Sequence, residues 1–230
     1  MLRQHRARLL AATLSIGVSL ISTATYAYDA GDWVIRGRVI KVAPQEDSSV
    51  ISITSGGSLT GVAGSGVTVD SDVVPELDIT YMLQKHWGVE LILGTSQHNV
   101  HGSGTLSSLG SIIDMRILPP TLTLQYHFLP DNNIRPYVGA GVNYVHPYNE
   151  KVTGGLAATG ATVNVDDSFG YALQAGVDID INKSWFVNFD VKYLDVNTTA
   201  NFANTAVAPP NQVNVDVNPI VFGIGIGTSF

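Results

Sequence analysis

Alternation of apolar and polar residues with a period of two is the feature of this sequence that most limits its fold. In residues 67–83 the odd positions are almost wholly apolar, whereas the even positions include four carboxylates. The pattern recurs in residues 168–181 and 185–193, and no long stretch follows the helical spacing of i, i+3, i+4 and i+7. Because successive side chains of a strand point to opposite faces, the sequence predicts an all-β protein.

Five weaker alternating segments raise the number of predicted strands to eight: 32–42, 87–96, 120–128, 135–146 and roughly 213–230. The last segment changes phase, which predicts a bulge near Pro219. Short connections at 84–86, 129–134 and 182–184 alternate with long ones rich in Gly, Ser, Thr and Asn, at 43–66, 97–119, 147–167 and 195–212. Connections of two lengths are typical of an up-and-down barrel with two unlike ends.

The first 27 residues have the features of a secretory signal peptide. Three arginines in residues 1–8 precede an apolar stretch at residues 9–22, and small residues at positions 25 and 27 provide a cleavage site before Tyr28. The apolar stretch is shorter than the roughly 20 residues of a membrane-spanning helix. We therefore expect a signal peptide at residues 1–27 and a single barrel domain at residues 28–230.

Composition excludes several classes of function. The chain has no Cys, which rules out thiol catalysis, a disulfide scaffold and Cys-ligated zinc. The net charge is −7 and no basic patch could neutralise phosphates, so nucleic acid is not an expected partner. His98 and His101 lie in a long connection with no nearby carboxylate in the sequence, which favours a solvated loop over a metal site. His127 is the only histidine on a polar face in mid-strand, so we expect neither an enzyme nor a cofactor.

Alternation alone does not decide which face of the barrel lies inside. A soluble barrel buries its apolar face, whereas a membrane barrel turns that face to lipid. Three features favour lipid: aromatic residues near the strand ends of the apolar face, charges of both signs on the other face, and an alternating C-terminal segment that ends on Phe230. The sequence thus predicts an eight-stranded antiparallel up-and-down transmembrane β-barrel with short periplasmic turns and long extracellular loops. We expect it in the Gram-negative outer membrane, with lipids as partners.

Individual residues follow from this orientation. Leu122, Leu173 and Val187 are predicted to face lipid, and Arg36, Asp78 and Gln174 to face the lumen. The predicted lumenal charge network comprises Arg36, Arg38, Glu76, Asp78, Glu90, Arg135, Asp178 and Asp190. In it the three arginines are expected to pair with Glu76, Asp78, Glu90 and Asp178. A barrel of eight strands has room only for its own side chains, so the network is interpreted as a structural plug rather than an ion-selective pore.

Pro119 and Pro120 lie where the second long connection enters the fourth strand. Proline donates no ladder hydrogen bond and is confined to strand starts, edges and bulges. Two interpretations remain open. The pair is either a rigid strand start or an unzipped part of the wall through which an apolar solute leaves sideways.

Several segments together resemble the outer-membrane protein W (OmpW) family: GDWVIRGRVIKVAPQEDSS at 31–49, LDITYMLQKHWGVELILGT at 77–95, LPPTLTLQYHF at 118–128, RPYVGAGVNY at 135–144, DDSFGYALQAGVDIDINKSWFVNFDVKYLDVNT at 166–198 and VDVNPIVFGIGIGTSF at 215–230. The resemblance implies an outer-membrane barrel proposed to admit small hydrophobic molecules, including alkanes in some members. It also implies an apolar constriction in the upper lumen, which falls on Ile92 and Lys192 here. Lys192 departs from that pattern, because relatives can carry a large aromatic residue there.

Lys192 is therefore expected to form an ion pair. Asp190 lies two residues away on the same strand face, and Glu90 is the equivalent neighbour of Ile92. A desolvated ammonium needs such a carboxylate partner, so we expect Lys192 to close part of the passage as a polar plug.

Two functions from different classes remain open. The first is a monomeric barrel for passive uptake or binding of small hydrophobic molecules, released sideways into the bilayer, with small apolar solutes as partners. The alternative is a non-transporting barrel that acts as a surface receptor, adhesin or structural anchor through its loops.

Overall fold

A closed barrel of eight antiparallel strands forms the body of the protein. The computed structural model describes residues 28–45, 47–48, 52–55, 58–61, 63–158, 160–203 and 211–230. In chain order the barrel strands are β1 (Trp33–Ala43), β2 (Asp72–Gln84), β3 (Trp87–Gly94), β4 (Thr121–His127), β5 (Ile134–Val152), β6 (Ser168–Asp180), β7 (Phe186–Leu194) and β8 (Ile220–Ser229). The predicted signal peptide lies outside the described residues.

Each barrel strand pairs with the next one along the chain, and β8 returns to pair with β1. Arg36 of β1 lies opposite Asp78 of β2 on one side and Gly227 of β8 on the other. The backbone groups of Trp33 and Phe230 exchange two hydrogen bonds of 2.9 and 3.0 Å, which closes the ring at its periplasmic end. The up-and-down antiparallel barrel predicted from the alternation is thus confirmed.

The apolar face of the barrel is the outer one, as a lipid environment requires. Leu122 and Leu173 are about half exposed on the outside, and Val187 lies on the same face of β7 as the exposed Phe189. Arg36, Asp78 and Gln174 are buried in the lumen. These orientations agree with the sequence prediction.

Aromatic residues form a girdle around the periplasmic end of this outer face. Trp33 packs against Tyr81 with ring centroids 4.9 Å apart, and Tyr126 contacts both Trp87 and Phe128 at 5.0 and 5.1 Å. Rings with an apolar body and a polar edge prefer the level of the lipid headgroups, so the girdle marks one membrane surface.

Much of the sequence predicted as long loops forms strands that extend the wall beyond the membrane. One extension is formed by Ser65–Val69, Ser96–Gly104 and Ser111–Leu118, and it joins the upper part of β5. A second sheet contains Asp47–Ser48, Ser52–Ser55, Ser58–Gly61, Thr162–Val165, Asn197–Ala203 and Asn211–Asp216. Apolar inward residues such as Val100 and Phe202 share these segments with inward or neighbouring Ser, His, Asn and Thr, so the period of two is weak in the sequence.

Two details of the strand prediction are wrong. Residues 67–83 are not one strand, because the chain leaves the ladder at residues 70–71 and the pairing with the neighbouring hairpin shifts there by one residue. Val67 and Val69 consequently point inward, whereas Val73 is exposed. The register of the last segment is the same on both sides of Pro219, so no residue is inserted there. Its apolar residues change side because the upper interior is apolar and the lower interior is charged.

Helices contribute little to the described chain. A single 3₁₀ turn covers Ser107–Leu109 and one short α-helix covers Gly154–Ala157. Among the described residues, no helix is both long enough and apolar enough to cross a membrane.

Candidate functional site

The lower lumen is filled by buried ion pairs centred on Arg36. Its guanidinium forms two parallel bonds to Asp178, at 3.1 Å from Nε and 2.7 Å from Nη2. Nη1 donates to Thr80 at 2.8 Å and to Glu90 at 3.2 Å. Because Arg36 and both carboxylates have no exposed surface, pairing is what allows their charge to remain in the barrel.

Arg38, one step further up β1, holds a second group of carboxylates. Its guanidinium lies 3.0 Å from Asp78, 3.2 Å from Asp190 and 3.3 Å from Glu76. The predicted network therefore assembles in the structure around two arginines, each of which meets several carboxylates at once.

Arg135 lies apart from this group at the periplasmic end. The predicted partners of Arg135 were the carboxylates around Arg36 and Arg38, but its guanidinium forms a two-bond pair with Asp180. The difference arises because Tyr28 occupies the space between: its ring lies 4.6 Å from the Arg135 guanidinium, and its hydroxyl donates to Asp178 at 2.8 Å. Sequence reasoning missed Tyr28, whose position before the first strand gave no signal of a lumenal role.

A glycine makes room for Tyr137, one of the two buried tyrosines among the described residues of the plug. Tyr137 is 1% exposed, and its hydroxyl donates to Asp190 at 2.8 Å. A β-carbon at Gly176 would lie 2.4 Å from the Tyr137 ring, so a larger residue there is excluded unless the ring moves. The polar face of β6 thus carries a glycine where β5 carries a tyrosine.

Lys192 and Ile92 lie together at the top of the charged region. Nζ of Lys192 donates to Glu76 Oε1 at 2.6 Å and lies 3.1 Å from Asp190 Oδ1. The sequence named Asp190 and Glu90 as candidate partners; the structure pairs the lysine with Asp190 and Glu76. Ile92 and Lys192 are 4% and 3% exposed, so at this level the lumen is closed by side chains.

An apolar cavity lies directly above this floor. The space between its lining atoms, counted together with the part open to solvent, is about 930 Å³. Its wall contains Ile40, Val42, Val74, Met115, Ile117, Val145, Val165, Leu194, Val196, Val217 and Val221, with Ile92, Glu76 and Lys192 below. A second apolar cavity of about 410 Å³ continues upward between the extension strands and shares Val69, Met115, Val165 and Val217 with the first. The upper interior is therefore a lined apolar chamber.

The chamber wall is interrupted beside the two prolines. Between β3 and β4 the pairing stops at Ile92 with Thr121 and resumes above at Ser96 with Ile117. Over this described stretch, residues 93–95 and 118–120 form no ladder pair with each other. Pro119 and Thr95 both line the cavity, and Thr95 is also exposed on the outside. Pro120 remains bonded to β5 on the other side, since the amide of Tyr144 donates to the Pro120 carbonyl at 3.0 Å.

His98 and His101 lie in a strand of the upper wall, not in the solvated loop predicted from the sequence. His98 is 3% exposed and contacts the Asp70 carbonyl and the Ser96 hydroxyl, each at 2.8 Å. His101 lies 3.0 Å from the Asp70 carboxylate, so a carboxylate is nearby after all. In the part of the chain that the structure describes, no group of three potential ligands could hold a metal ion.

His127 is fully buried in the lower lumen. Its Nε2 lies 3.2 Å from Gln125 Oε1, and its ring packs edge-on against Tyr28 at 5.2 Å. These contacts place it in the plug rather than in the chamber.

Comparisons with known proteins agree with this architecture. A model of the OmpW family matches residues 29–230. The chain is 34% identical to Outer membrane protein W of Vibrio cholerae over 221 residues, which cover 94% of this chain and 97% of the relative. It is 28% identical to Outer membrane protein AlkL of Ectopseudomonas oleovorans, over 88% of this chain and 84% of that protein. The crystal structure of OprG from Pseudomonas aeruginosa superposes with a TM-score of 0.82 at 35% identity, covering 90% of this chain and 99% of OprG.

Proposed function

This chain belongs to the OmpW family of outer-membrane barrels, and on that premise we propose that it binds small hydrophobic molecules and passes them sideways into the bilayer. The observation that carries the proposal is the apolar chamber, which is closed below by Lys192, Glu76 and Ile92 and interrupted at its side beside Pro119. A solute that enters from outside the cell meets an apolar wall and a charged floor.

The charged floor argues against passage straight through the barrel. An apolar solute moving downward would have to separate the ion pairs of Arg38 and Lys192, leaving buried charges without partners at a cost of several kcal/mol. Moving sideways breaks no ladder pair, because residues 93–95 and 118–120 form none with each other. The sideways route is therefore the one that separates no buried ion pair.

The level of the wall interruption suits release into lipid. Just below it the outer face carries Leu91 and Leu122, which are 38% and 49% exposed. At its upper edge Thr95 forms a hydrogen bond with Tyr148, and just above it Gln97 donates to Asp114. The interruption thus lies where the apolar outer belt meets the polar extension, within reach of the upper acyl chains.

Restoring a missing backbone donor tests this route. In Pro119→Ala/Pro120→Ala the N–H of residue 119 becomes available to the ladder with β3, whereas the N–H of residue 120 points toward β5, the side on which its carbonyl accepts from Tyr144. We expect slower uptake of a small apolar solute into proteoliposomes than with the unsubstituted protein. Pro136→Ala is the matched control, because Pro136 lies in β5 near the periplasmic end and does not line the chamber.

The result separates the two functions kept open by the sequence. Slower uptake in the double variant with unchanged uptake in Pro136→Ala supports lateral passage. If protein-containing and protein-free liposomes take up the solute equally, the barrel does not transport it, and a receptor, adhesin or anchoring role for the extension strands becomes the better account.

A further inference from the structure

The chamber has a polar spot at its floor. Among the described residues that line the cavity, Glu76 and Lys192 lie at the floor, His98 lies higher in the wall and contacts Asp70 and Ser96 through its two ring nitrogens, and most of the remaining lining is aliphatic. An ammonium carries three hydrogens. Glu76 at 2.6 Å and Asp190 at 3.1 Å engage at most two of them, so at least one N–H of Lys192 is left for a group in the cavity.

We propose that Lys192 makes the chamber selective for neutral molecules that combine an apolar chain with one hydrogen-bond acceptor, such as a ketone or an ester. This inference rests on the proposed function and specifies its ligand. A carbonyl oxygen at the floor accepts the remaining hydrogen of Lys192, while the chain of the molecule lies against Val74, Val145 and Val221. A hydrocarbon in the same place excludes water and leaves that donor unpaired.

The charges around the floor disfavour an anionic head group. Apart from the Arg135–Asp180 pair at the periplasmic end, five buried carboxyl groups share three buried cations in the described part of the lumen: Glu76, Asp78, Glu90, Asp178 and Asp190 against Arg36, Arg38 and Lys192. A fatty-acid carboxylate at Lys192 would bring a further anion within reach of Glu76 and Asp190. The repulsion is strong in a site with little water, so the carboxylate should be rejected although its chain fits the wall.

Matched ten-carbon probes test the selectivity: decane, 2-decanone and decanoate. Binding is measured to the mature protein in lipid nanodiscs, relative to empty nanodiscs. We expect 2-decanone labelled with ¹³C at the carbonyl to bind roughly tenfold more tightly than decane, as one hydrogen bond to a charged donor predicts. The infrared carbonyl band of the bound ketone should lie at lower wavenumber than that of the ketone dissolved in lipid.

Two variants assign the effect to the lysine. Lys192→Met/Glu76→Leu removes the donor together with one carboxylate charge and adds no new N–H group, while Asp190 keeps Arg38 and Tyr137 as partners. It should lose both the ketone preference and the band shift while still binding decane. Lys41→Met, which removes an exposed lysine from β1, should keep both properties.

Every outcome distinguishes this inference from the function on which it rests. If decane enters the chamber and the ketone has no advantage, or if decanoate displaces the ketone, the selectivity is refuted and hydrophobic uptake stands. If none of the probes binds more to the protein-containing nanodiscs than to the empty ones, both the selectivity and the proposed uptake function are refuted. The band shift in the unsubstituted protein remains decisive even if the double variant does not fold.

Discussion

Glu90 illustrates, at the scale of single residues, how charge is kept inside this barrel. Its carboxylate lies 3.2 Å from Arg36 and 3.5 Å from Arg38, and it accepts amide hydrogens from Gln125 and Gln174 at 2.8 Å each. A carboxylate with this many donors is stabilised even without water. The same reasoning makes removal of a single partner costly, because the others stay behind as unpaired buried charges.

Arg36→Met is the direct test of that cost. It removes the cation that bonds to Asp178 and Glu90, and we expect about 3–5 kcal/mol lower free energy of unfolding. The measurement is denaturant unfolding in detergent micelles. Lys85→Met is the control, since the Lys85–Asp131 pair lies at 2.7 Å on the exposed surface and its loss should change little. Equal destabilisation by both variants would mean that the lumenal pairs do not hold the barrel together.

Lys192 and Ile92 allow the closed floor to be tested residue by residue. Lys192→Leu should raise proteoliposome uptake of a small hydrocarbon, because the ammonium leaves the floor while Glu76 keeps Arg38 as its partner. Ile92→Asp should lower that uptake by adding an unpaired carboxylate to the chamber. Correct folding is checked by heat-modifiable gel mobility. Unchanged uptake in both folded variants would show that the solute does not reach the floor. The solute would then leave the chamber above the floor, through the wall beside Pro119 and Pro120.

At the scale of strands, the period of two was sufficient to predict most of the barrel. Alternation in β6 placed Leu173 and Gln174 on opposite faces, because a lipid-facing residue must be apolar and its neighbour need not be. The extension strands were predicted as loops, since Ser96 and His98 point inward without a strong apolar signal. Alternation along a strand shows which face a side chain is on but not which residue it meets across the lumen. The Glu76–Lys192 ion pair therefore could not be derived from it.

The two faces of β6 give a paired test at neighbouring positions. Leu173→Arg places a charge in the lipid belt and should lower the free energy of unfolding by about 2–4 kcal/mol. Gln174→Arg should cost less, because Gln174 already bonds to Glu90 and Asp190 at 2.8 and 3.0 Å and these carboxylates can receive the new cation. Both are measured by urea unfolding from liposomes. Equal loss in the two variants would contradict the assignment of faces.

At the scale of the whole molecule, the barrel is divided into two halves with opposite chemistry. The charged plug extends from the Arg135–Asp180 pair at the periplasmic end to Lys192, and the apolar chamber extends from Lys192 through the second cavity. The plug fixes the shape of the lower barrel, while the chamber above it has room for a ligand. Uptake and ion conduction should therefore be separable properties of this protein.

Ion conductance and uptake of an apolar solute can both be measured on one preparation of the protein. Ions crossing the barrel would have to pass the ion pairs of Arg36 and Arg38 with Glu90, Asp178 and Asp78, whose side chains have no exposed surface. We expect planar bilayers containing the protein to show no steady conductance above the protein-free bilayer. Liposomes from the same preparation should still take up a small apolar solute faster than protein-free liposomes. A stable open conductance would contradict the closed plug, since an ion can cross only through an aqueous lumen, whereas the route beside Pro119 ends in lipid.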